Sequence, residues 1–440
     1  MPSNPPPNRG RAVPSGRLSR LAGFGRIAGG VASGMLADGA RQLASGKRPR
    51  FAELLMTPAN ARKVTSQLAN LRGAAMKMGQ LISMGGSELL PPELSDILAR
   101  LRADAQHMPP AQLLAVLNRN WGKNWRTRFE RFDTSPIAAA SIGQVHRART
   151  RDGRDLAIKI QYPGVRQSID SDVDNVATLI RLSGLVPKSI DLAPMLVEAK
   201  RQLHGEADYE REALCLAQFG GLLADAPDFE VPALHADLTT RDVLAMGFVS
   251  GVAVESLDDG PQETRDRVMT LLIALLLREL FEFKVMQTDP NFANYRYNTA
   301  SGRLVLLDFG ATRSFEPEIA DNYRLLLNAG LSGDRDGARK AMLAIGFYGE
   351  ATPSHHKDTI VGMFEQAMAP LRATGHFDFA DTSMVTWIRD QGLTIAADRE
   401  VWHIPPIDTL FLQRKFGGIY LLGSRLKARV DMVRLLAPYR

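Results

Sequence analysis

Two short stretches of the 440-residue chain hold side chains suited to magnesium and phosphate. Asp308-Phe309-Gly310 follows the apolar run 304–307, from whose end an aspartate can hold magnesium against nucleotide phosphates. By itself such a tripeptide is also an ordinary turn closing a strand. Upstream, Thr288-Asp289-Pro290-Asn291-Phe292-Ala293-Asn294 sets a carboxylate and an amide five residues apart. One loop then offers Asp289 to orient a nucleophile or accept its proton, and Asn294 as a neutral oxygen ligand for a second metal. The interval from Asn294 to Asp308 has room for one β-hairpin. Order and spacing together are far more specific than either motif.

This chemistry needs a cation for the phosphates, and Ala157-Ile158-Lys159-Ile160 supplies a strand lysine suited to the α and β phosphates. Alone, a lysine between isoleucines is simply an exposed residue of an alternating strand. Glu212, in Tyr209-Glu210-Arg211-Glu212-Ala213, is its candidate ion-pair partner on the long helix that follows, although a glutamate in so charged a helix is more often solvated. Where a glycine-rich phosphate loop would stand, the chain reads Ala138-Ala139-Ala140-Ser141-Ile142-Gly143-Gln144-Val145. Alanines resist positive φ, so this loop is expected to be stiffer than a glycine loop, with Ser141 and Gln144 as donors to phosphate. Val145 and Ala157 complete the strands beneath the nucleotide.

The elements that must carry these residues follow from periodicity. Apolar residues recur at helical spacing over 58–120, and short β-like runs follow, with 141–148 and 156–160 forming a hairpin about Arg151-Asp152-Gly153. Helices are expected over 171–183, 194–219 and 264–283, strands over 243–249 and 304–307, and helices from 316 onward, ending in 410–436. The fold expected is α+β: a protein-kinase-like bilobal fold with a small β-sheet N-lobe, a helical C-lobe and an N-terminal helical extension. Its segments are a basic, glycine-rich stretch (1–50), the extension (51–125), the N-lobe (126–250) and the C-lobe (251–440).

Composition narrows the function classes. The single cysteine, Cys215, excludes an intramolecular disulfide framework and a thiolate metal cluster. Of the 54 Lys and Arg and 48 Asp and Glu, nine basic residues and one acid, Asp38, fall within residues 1–50. The remainder carries 45 against 47, so the body does not resemble a nucleic-acid-binding domain. No apolar run reaches the roughly 18 residues of a spanning helix, and the longest, 268–277, ends at Arg278-Glu279. Residues 1–16 are expected to be disordered. In 17–45, the pairs Gly25 with Gly29 and Gly30 with Gly34, beside several arginines, suit an anionic membrane surface. A targeting peptide or a loosely held helix is an equal alternative for that stretch.

Several of these segments, in this order, resemble the signatures of the UbiB/ADCK family of atypical kinases, in particular the branch that supports coenzyme Q biosynthesis. They are Lys77-Met78-Gly79-Gln80, the alanine loop 138–141, the run 157–164, Glu206-Ala207-Asp208, Thr288-Asp289-Pro290-Asn291 and Asp308-Phe309-Gly310. The resemblance spans about residues 70–430. It implies ATP and Mg2+ as cofactors and a backbone hinge for adenine at Met246, Gly247, Phe248 and Val249. It also implies that Lys77 and Gln80 sit over the nucleotide site as a regulatory lid contacted by Glu206 and Asp208.

The implied function is an ATPase or a small-molecule or lipid kinase supporting ubiquinone biosynthesis at a membrane, with a nucleotide-binding scaffold as the alternative. A protein kinase is disfavoured: Gln287 and Thr288 replace the usual catalytic-loop histidine and arginine, no Ala-Pro-Glu follows Asp308, and helical periodicity resumes by Ile319. Expected partners are a quinone-precursor lipid or ubiquinone-biosynthesis proteins and an anionic membrane surface, without nucleic acid; a homodimer is left open. The expected location is cytoplasmic and peripherally membrane-associated, or the matrix face of the mitochondrial inner membrane. Many bacterial members carry paired spanning helices at the C-terminus; the 440 residues include none, so integral anchoring through such a pair is not expected.

Lys77 and Gln80 lie three apart and share a helix face bordered by Met76, Leu81 and Met84. If that helix tunes turnover, Lys77→Ala and Gln80→Ala change ATP hydrolysis. An exposed lysine such as Lys63 changed to alanine shifts stability by at most about 0.5 kcal/mol and leaves turnover alone. Steady-state phosphate release separates the two, and parental rates in all three variants reduce the helix to packing.

Overall fold

A computed structural model describes residues 108–140, 142–183, 193–397, 403 and 405–440. Lys77, Gln80, Ser141, the segment 1–50 and the extension before residue 108 therefore lie outside the described residues. The chain forms two compact units. The first takes in the described residues to Leu214 together with Ala233–Phe248, and the second Cys215–Pro232 and Val249–Arg440.

The first unit opens with α1 (Pro110–Trp121). Pro110 presets the first helical φ where no intrahelical N–H bond is lost, and Gly122, at φ +81°, ends the helix. Leu113, Val116, Leu117 and Trp121 recur at helical spacing and form its buried face. The strands β1 (Phe129–Phe132), β2 (Ala138–Ala139), β3 (Gly143–Thr150) and β4 (Asp155–Gln161) follow. β5 (Phe229–Glu230) belongs to the second unit, and β6 (Val243–Gly247) completes the first unit's sheet. That sheet is antiparallel throughout, in the order β1-β3-β4-β6 with β2 beside β3.

Strand alternation gives the sheet two faces. Ala148, Leu156, Ile158, Ile160, Val243 and Ala245 pack with α1, Trp125 and Phe129 into one core. Burying each large aliphatic side chain there contributes about 1.5–3 kcal/mol. The indole N–H groups are satisfied: Trp121 Nε1 donates to the Leu238 carbonyl at 2.9 Å and Trp125 Nε1 to Asn118 Oδ1 at 3.1 Å.

After the sheet come α2 (Val165–Ser183), α3 (Ala193–Glu206) and α4 (Tyr209–Leu222). The single helix expected over 194–219 is thus two. The break falls at Ala207-Asp208, where the Ala207 carbonyl accepts from Gln161 Nε2 (2.9 Å) and the Arg166 guanidinium, while Asp208 Oδ1 accepts from Arg211 N (3.1 Å) and starts α4. Gly205 stands near this point, its carbonyl taking the Asp208 N–H at 3.2 Å, and the tertiary contact to the Ala207 carbonyl fixes the break.

In the second unit a four-stranded sheet runs β5-β10-β9-β7, with β7 (Val252–Ala253), β9 (Tyr295–Asn298) and β10 (Arg303–Leu306). The apolar run read from sequence becomes α5 (Gln262–Leu277), buried on most sides, and a π-helical turn, Arg278–Phe283, continues it. Then β8 (Val285–Gln287) pairs with β11 (Thr312–Ser314) as a separate two-stranded ribbon. α6 (Pro317–Ser332), α7 (Arg335–Ile345), α8 (Ser354–Ala373), β12 (His376–Asp378), α9 (Ser383–Ala397) and α10 (Ile407–Leu426) follow. The last helix expected, 410–436, stops at Leu426 because Lys427 takes a left-handed conformation, φ +48°. The chain then forms β13 (Arg429–Asp431), paired with β12, and the short α11 (Met432–Leu436). The fold is α+β, with an antiparallel sheet in the first unit and a largely helical second unit.

One glycine is required by close approach. A Cβ on Gly143 would collide with the Ile160 carbonyl oxygen and stand 2.7 Å from the Tyr209 hydroxyl. Gly143→Ala therefore costs about 1–3 kcal/mol of stability. Gly221→Ala, with nothing within 4 Å of the added carbon in α4, is neutral or stabilises by up to about 1 kcal/mol. Urea unfolding of both variants checks the pair.

Candidate active site

The first unit presents Val145, Ala157, Lys159 and Met246 on one face of its sheet, since Val145 pairs with Lys159 across β3–β4 and Ala157 with Met246 across β4–β6. Directly opposed residues of antiparallel strands share a face. The opposite face is the core against α1.

Lys159 is 7% exposed and Glu212, on α4, 1%. The ammonium donates to both carboxylate oxygens, Oε1 at 2.8 Å and Oε2 at 2.9 Å, and lies 5.2 Å from the centre of the Tyr209 ring. One turn of α4 thus supplies both an ion-pair partner and an aromatic face to the same cation.

Gln144 lies one residue out of phase with this set. It is fully buried on the other face, its Oε1 accepting from Met108 N at 2.8 Å and its Nε2 bonded to His146 Nε2 at 2.8 Å. The donor expected for phosphate is instead a bond between the sheet and the chain entering α1, because a one-residue step along a strand turns the side chain to the other side. Ala138 and Ala139 form β2 and are exposed, and Ala140 N donates to the Gly143 carbonyl at 2.9 Å, closing a tight loop.

At the expected hinge, Met246 and Gly247 end β6, with Gly247 N donating to the Ala233 carbonyl (2.8 Å) and Phe248 N to the Asp155 carbonyl (2.8 Å). The Arg147 guanidinium stacks 4.0 Å over the Phe248 ring, and the first unit ends there; the chain re-enters the second at Val249. Asp208 starts α4 and lies 3.7 Å from Arg166, and Glu206 ends α3. The lid residues Lys77 and Gln80 are outside the described residues, as is Ser141.

In the second unit, Asp289, Asn294 and Asp308 follow one another along β8, a loop, the β9–β10 hairpin and the turn before β11. Asn291 caps the short 3-10 turn Phe292–Asn294 by accepting from Ala293 N at 3.3 Å. Asn294 is buried and directs its amide nitrogen to Asp289, 3.4 Å from both Oδ2 and the carbonyl oxygen. Its backbone carbonyl takes the Leu307 N–H at 3.0 Å, tying this loop to the approach of Asp308. Asp308 Oδ1 accepts from Gly310 N at 3.0 Å, and the buried Phe309 ring packs 5.1 Å from Phe219. Thr288 donates through both N–H and Oγ1 to the Ala311 carbonyl, at 3.2 and 2.8 Å, fixing the two loops side by side.

Sequence reasoning missed the cluster beneath this loop. Lys415 of α10 is 1% exposed and Glu279 of the π-turn 0%. Lys415 Nζ donates to the Gln287 carbonyl (2.6 Å), Gln287 Oε1 (3.3 Å) and the Tyr295 hydroxyl (2.6 Å), and stands 3.5 Å from Glu279. Glu279 Oε1 accepts from Gln287 N at 3.1 Å. Burial raises the Glu279 carboxyl above the usual carboxylate range, against the opposing pull of Lys415 and the Gln287 N–H. Burial works against the Lys415 ammonium, yet the charge of Glu279, with Tyr295, holds it above its ordinary value. Arg414, the preceding residue, lies 3.4 Å from Asp289.

The donors suit magnesium. Asp308 brings hard carboxylate oxygens, and the Asn294 amide, its nitrogen turned to Asp289, leaves its oxygen as the group able to meet a cation. No cluster of three or more His, Cys, Asp or Glu suited to a metal ion is found among the described residues.

Residues 100–342 match the ABC1 atypical kinase-like domain. Over 427 residues the sequence is 38% identical to the mitochondrial atypical kinase COQ8 of Saccharomyces cerevisiae, covering 96% of this chain and 85% of that protein. The chain belongs to the ABC1, or UbiB/ADCK, family of atypical kinases. It is likewise 38% identical over 429 residues to the mitochondrial atypical kinase COQ8B of Rattus norvegicus, covering 96% and 80%. Among solved structures, Rv3197 of Mycobacterium tuberculosis, in complex with erythromycin, is similar with a TM-score of 0.61 at 25% identity, over 88% of this chain and 96% of that one. An ABC1 kinase-like domain is an ATP-binding, phosphoryl-transfer fold, and the kinase-like fold generally uses ATP with Mg2+. The two COQ8 relatives are mitochondrial by name; among the described residues, no helix is long and apolar enough to cross a membrane.

The Lys159–Glu212 pair is buried, so removing one partner leaves an uncompensated charge. Glu212→Ala is expected to cost about 3–5 kcal/mol of stability, whereas Lys159→Met with Glu212→Leu recovers most of it by replacing both charges. Equilibrium unfolding of the two variants measures the difference.

Proposed function

We propose that this ABC1 kinase binds ATP with Mg2+ and turns it over in support of ubiquinone biosynthesis at a membrane surface, as an ATPase or as a kinase for a small molecule or lipid. The observation that carries this reading is the buried, bidentate Lys159–Glu212 pair on the sheet face shared with Val145, Ala157 and Met246. A desolvated lysine held by a glutamate costs free energy to maintain, and the role that repays it is engagement of the α and β phosphates.

In this reading Asp308 and Asn294 hold magnesium, and Asp289 orients the attacking oxygen and accepts its proton. Met246 to Val249 form the adenine hinge, and the alanine loop, with Ala138, Ala139, Ala140 and Ser141, covers the phosphates. Magnesium, when bound, would neutralise charge developing on the transferred phosphoryl group. Glu206 and Asp208 would meet the lid residues Lys77 and Gln80. Quinone-pathway support rests on the likeness to the COQ8 kinases over nearly the whole chain. The expected partners are a quinone-precursor lipid or proteins of that pathway, at an anionic surface.

A peptide kinase is the weaker alternative. Between β11 and α6 stand only Phe315 and Glu316, and Phe315 is buried with its N–H on the Lys284 carbonyl at 2.8 Å. That interval cannot form the activation segment on which a peptide docks.

Quinone content of a strain lacking its COQ8-type kinase, complemented by this chain, tests the pathway, and failure of complementation by a well-expressed protein counts against it. The site itself is tested by Asp308→Asn. Loss of a charge-assisted metal contact weakens magnesium-dependent ATP binding by about 1.5–3 kcal/mol. Thermal stabilisation by ATP, with and without Mg2+, reads this out, and unchanged magnesium dependence in the folded variant rules out Asp308 as a ligand.

A further inference from the structure

α10 lies against the loop that carries Asp289. Phe411, Arg414, Lys415 and Gly418 occupy one face of this helix, at i, i+3, i+4 and i+7. Each meets a different part of the β8–β11 ribbon or the loop after β8. The Arg313 guanidinium, on β11, lies 4.4 Å over the Phe411 ring and pairs with Asp408, one turn earlier, at 2.7 Å. Arg414 Nη2 is 3.4 Å from Asp289 Oδ1. Lys415 holds the Gln287 carbonyl at 2.6 Å. At Gly418 the helix backbone approaches Pro290 so closely that an added Cβ would collide with the proline ring.

Residues 287, 289 and 290 are thus each held by a separate residue of α10, and β11, which leads away from Asp308, is held by a fourth contact. The anchor is buried and polar. Lys415 reaches three oxygen acceptors and an ion-pair partner, so shifting the loop would strip a desolvated ammonium of its bonds. These contacts oppose displacement of the loop. An alternative in which α10 merely covers apolar surface gives no reason for a lysine, an arginine and a glycine at these three positions.

We propose that α10 is a brace that sets the catalytic geometry, with Arg414 and Lys415 as positioning residues acting through Asp289 and Gln287 and Gly418 as the point of close approach. This rests on the reading of Asp289 as the proton acceptor. The brace acts on the chemical step and leaves nucleotide binding nearly untouched, because the contacts just described are with the base loop and the β8–β11 ribbon.

The test compares Arg414→Gln, Gly418→Ala and Gly417→Ala in the full chain. Gly417 is exposed with open space around it, so its substitution is the same methyl one residue away. Phosphate release with MgATP is expected to fall about tenfold or more in kcat for Arg414→Gln and Gly418→Ala, with the MgATP dissociation constant from calorimetry within about twofold of the parent. Gly417→Ala is expected to match the parent in both. Hydrogen exchange of the amides of residues 287–294 supplies a readout independent of turnover, and these should exchange faster in Gly418→Ala than in Gly417→Ala. Asp289→Asn separates the two levels of the inference. Parental turnover in Asp289→Asn removes the reading of Asp289 and the brace with it, whereas loss of turnover there with parental kcat in Arg414→Gln and Gly418→Ala overturns the brace alone. Equal exchange in the two glycine variants, or nucleotide affinity and thermal stability falling in step with kcat, also overturns it.

Discussion

A lysine taken out of water must be given an anion and enough acceptors, and this constraint organises the site residues of both units. Lys159 of β4 meets it with Glu212, and Lys415 of α10 with Glu279, the Gln287 carbonyl and the Tyr295 hydroxyl. Each pair links elements far apart in sequence, by 53 residues in the first case and by 128 from Lys415 to Gln287. The two differ in setting. Lys159 stands on an alternating strand whose other face is core, and it shares its own face with Val145, Ala157 and Met246. Lys415 is enclosed by its own unit, and its bonds to main chain make it a support for the loop rather than a ligand group.

Much of this was legible because strand and loop chemistry is local. The hairpin of β3 and β4, the apolar run ending at Asp308 and the hairpin between Asn294 and Asp308 all follow from spacing and period, whereas Glu212 can be named only as a candidate partner for Lys159, 53 residues away. What escaped had a weak local signal or none. Gln144 reads as a polar residue near a phosphate loop, yet counting by twos from Lys159's partner Val145 puts it on the core face, where His146 and Met108 N satisfy its amide. The break between α3 and α4 is fixed by Gln161 and Arg166 reaching the Ala207 carbonyl; its local signals, Gly205 and the N-cap Asp208, do not enter the expectation of one helix over 194–219. Nothing near Lys415 or Arg414 in the sequence ties them to Gln287 and Asp289, to which only the fold brings them.

The irregular backbone just before β8 is part of the same design. A π-turn carries one extra residue per hydrogen-bonded ring and so rotates the side chains that follow it relative to the preceding α-helix. Here it falls where α5, an apolar helix, must deliver a single carboxylate, Glu279, inward beneath the loop while its neighbours Leu280 and Phe281 remain core. Lys284, left-handed at φ +54°, then turns the chain into β8, and its carbonyl takes the Phe315 N–H on the far side of β11. Helix, turn and ribbon are thereby closed into one hydrogen-bonded unit around the Asp289 loop.

That closure bears on the class of substrate. The segment after Asp308 is spent on structure almost at once. Thr312 to Ser314 pair with β8, Phe315 is buried, and Pro317 starts α6 with its missing N–H at a helix end where none is needed. A peptide acceptor requires an extended chain to lie along a segment of this kind, pairing with its backbone groups. Here the β8 side of β11 is already paired, and Arg313 is held by Asp408 and Phe411 of α10. This pairing supports the proposed reading of an acceptor that presents one nucleophilic oxygen and asks for no such backbone track, whether water, a small molecule or a lipid.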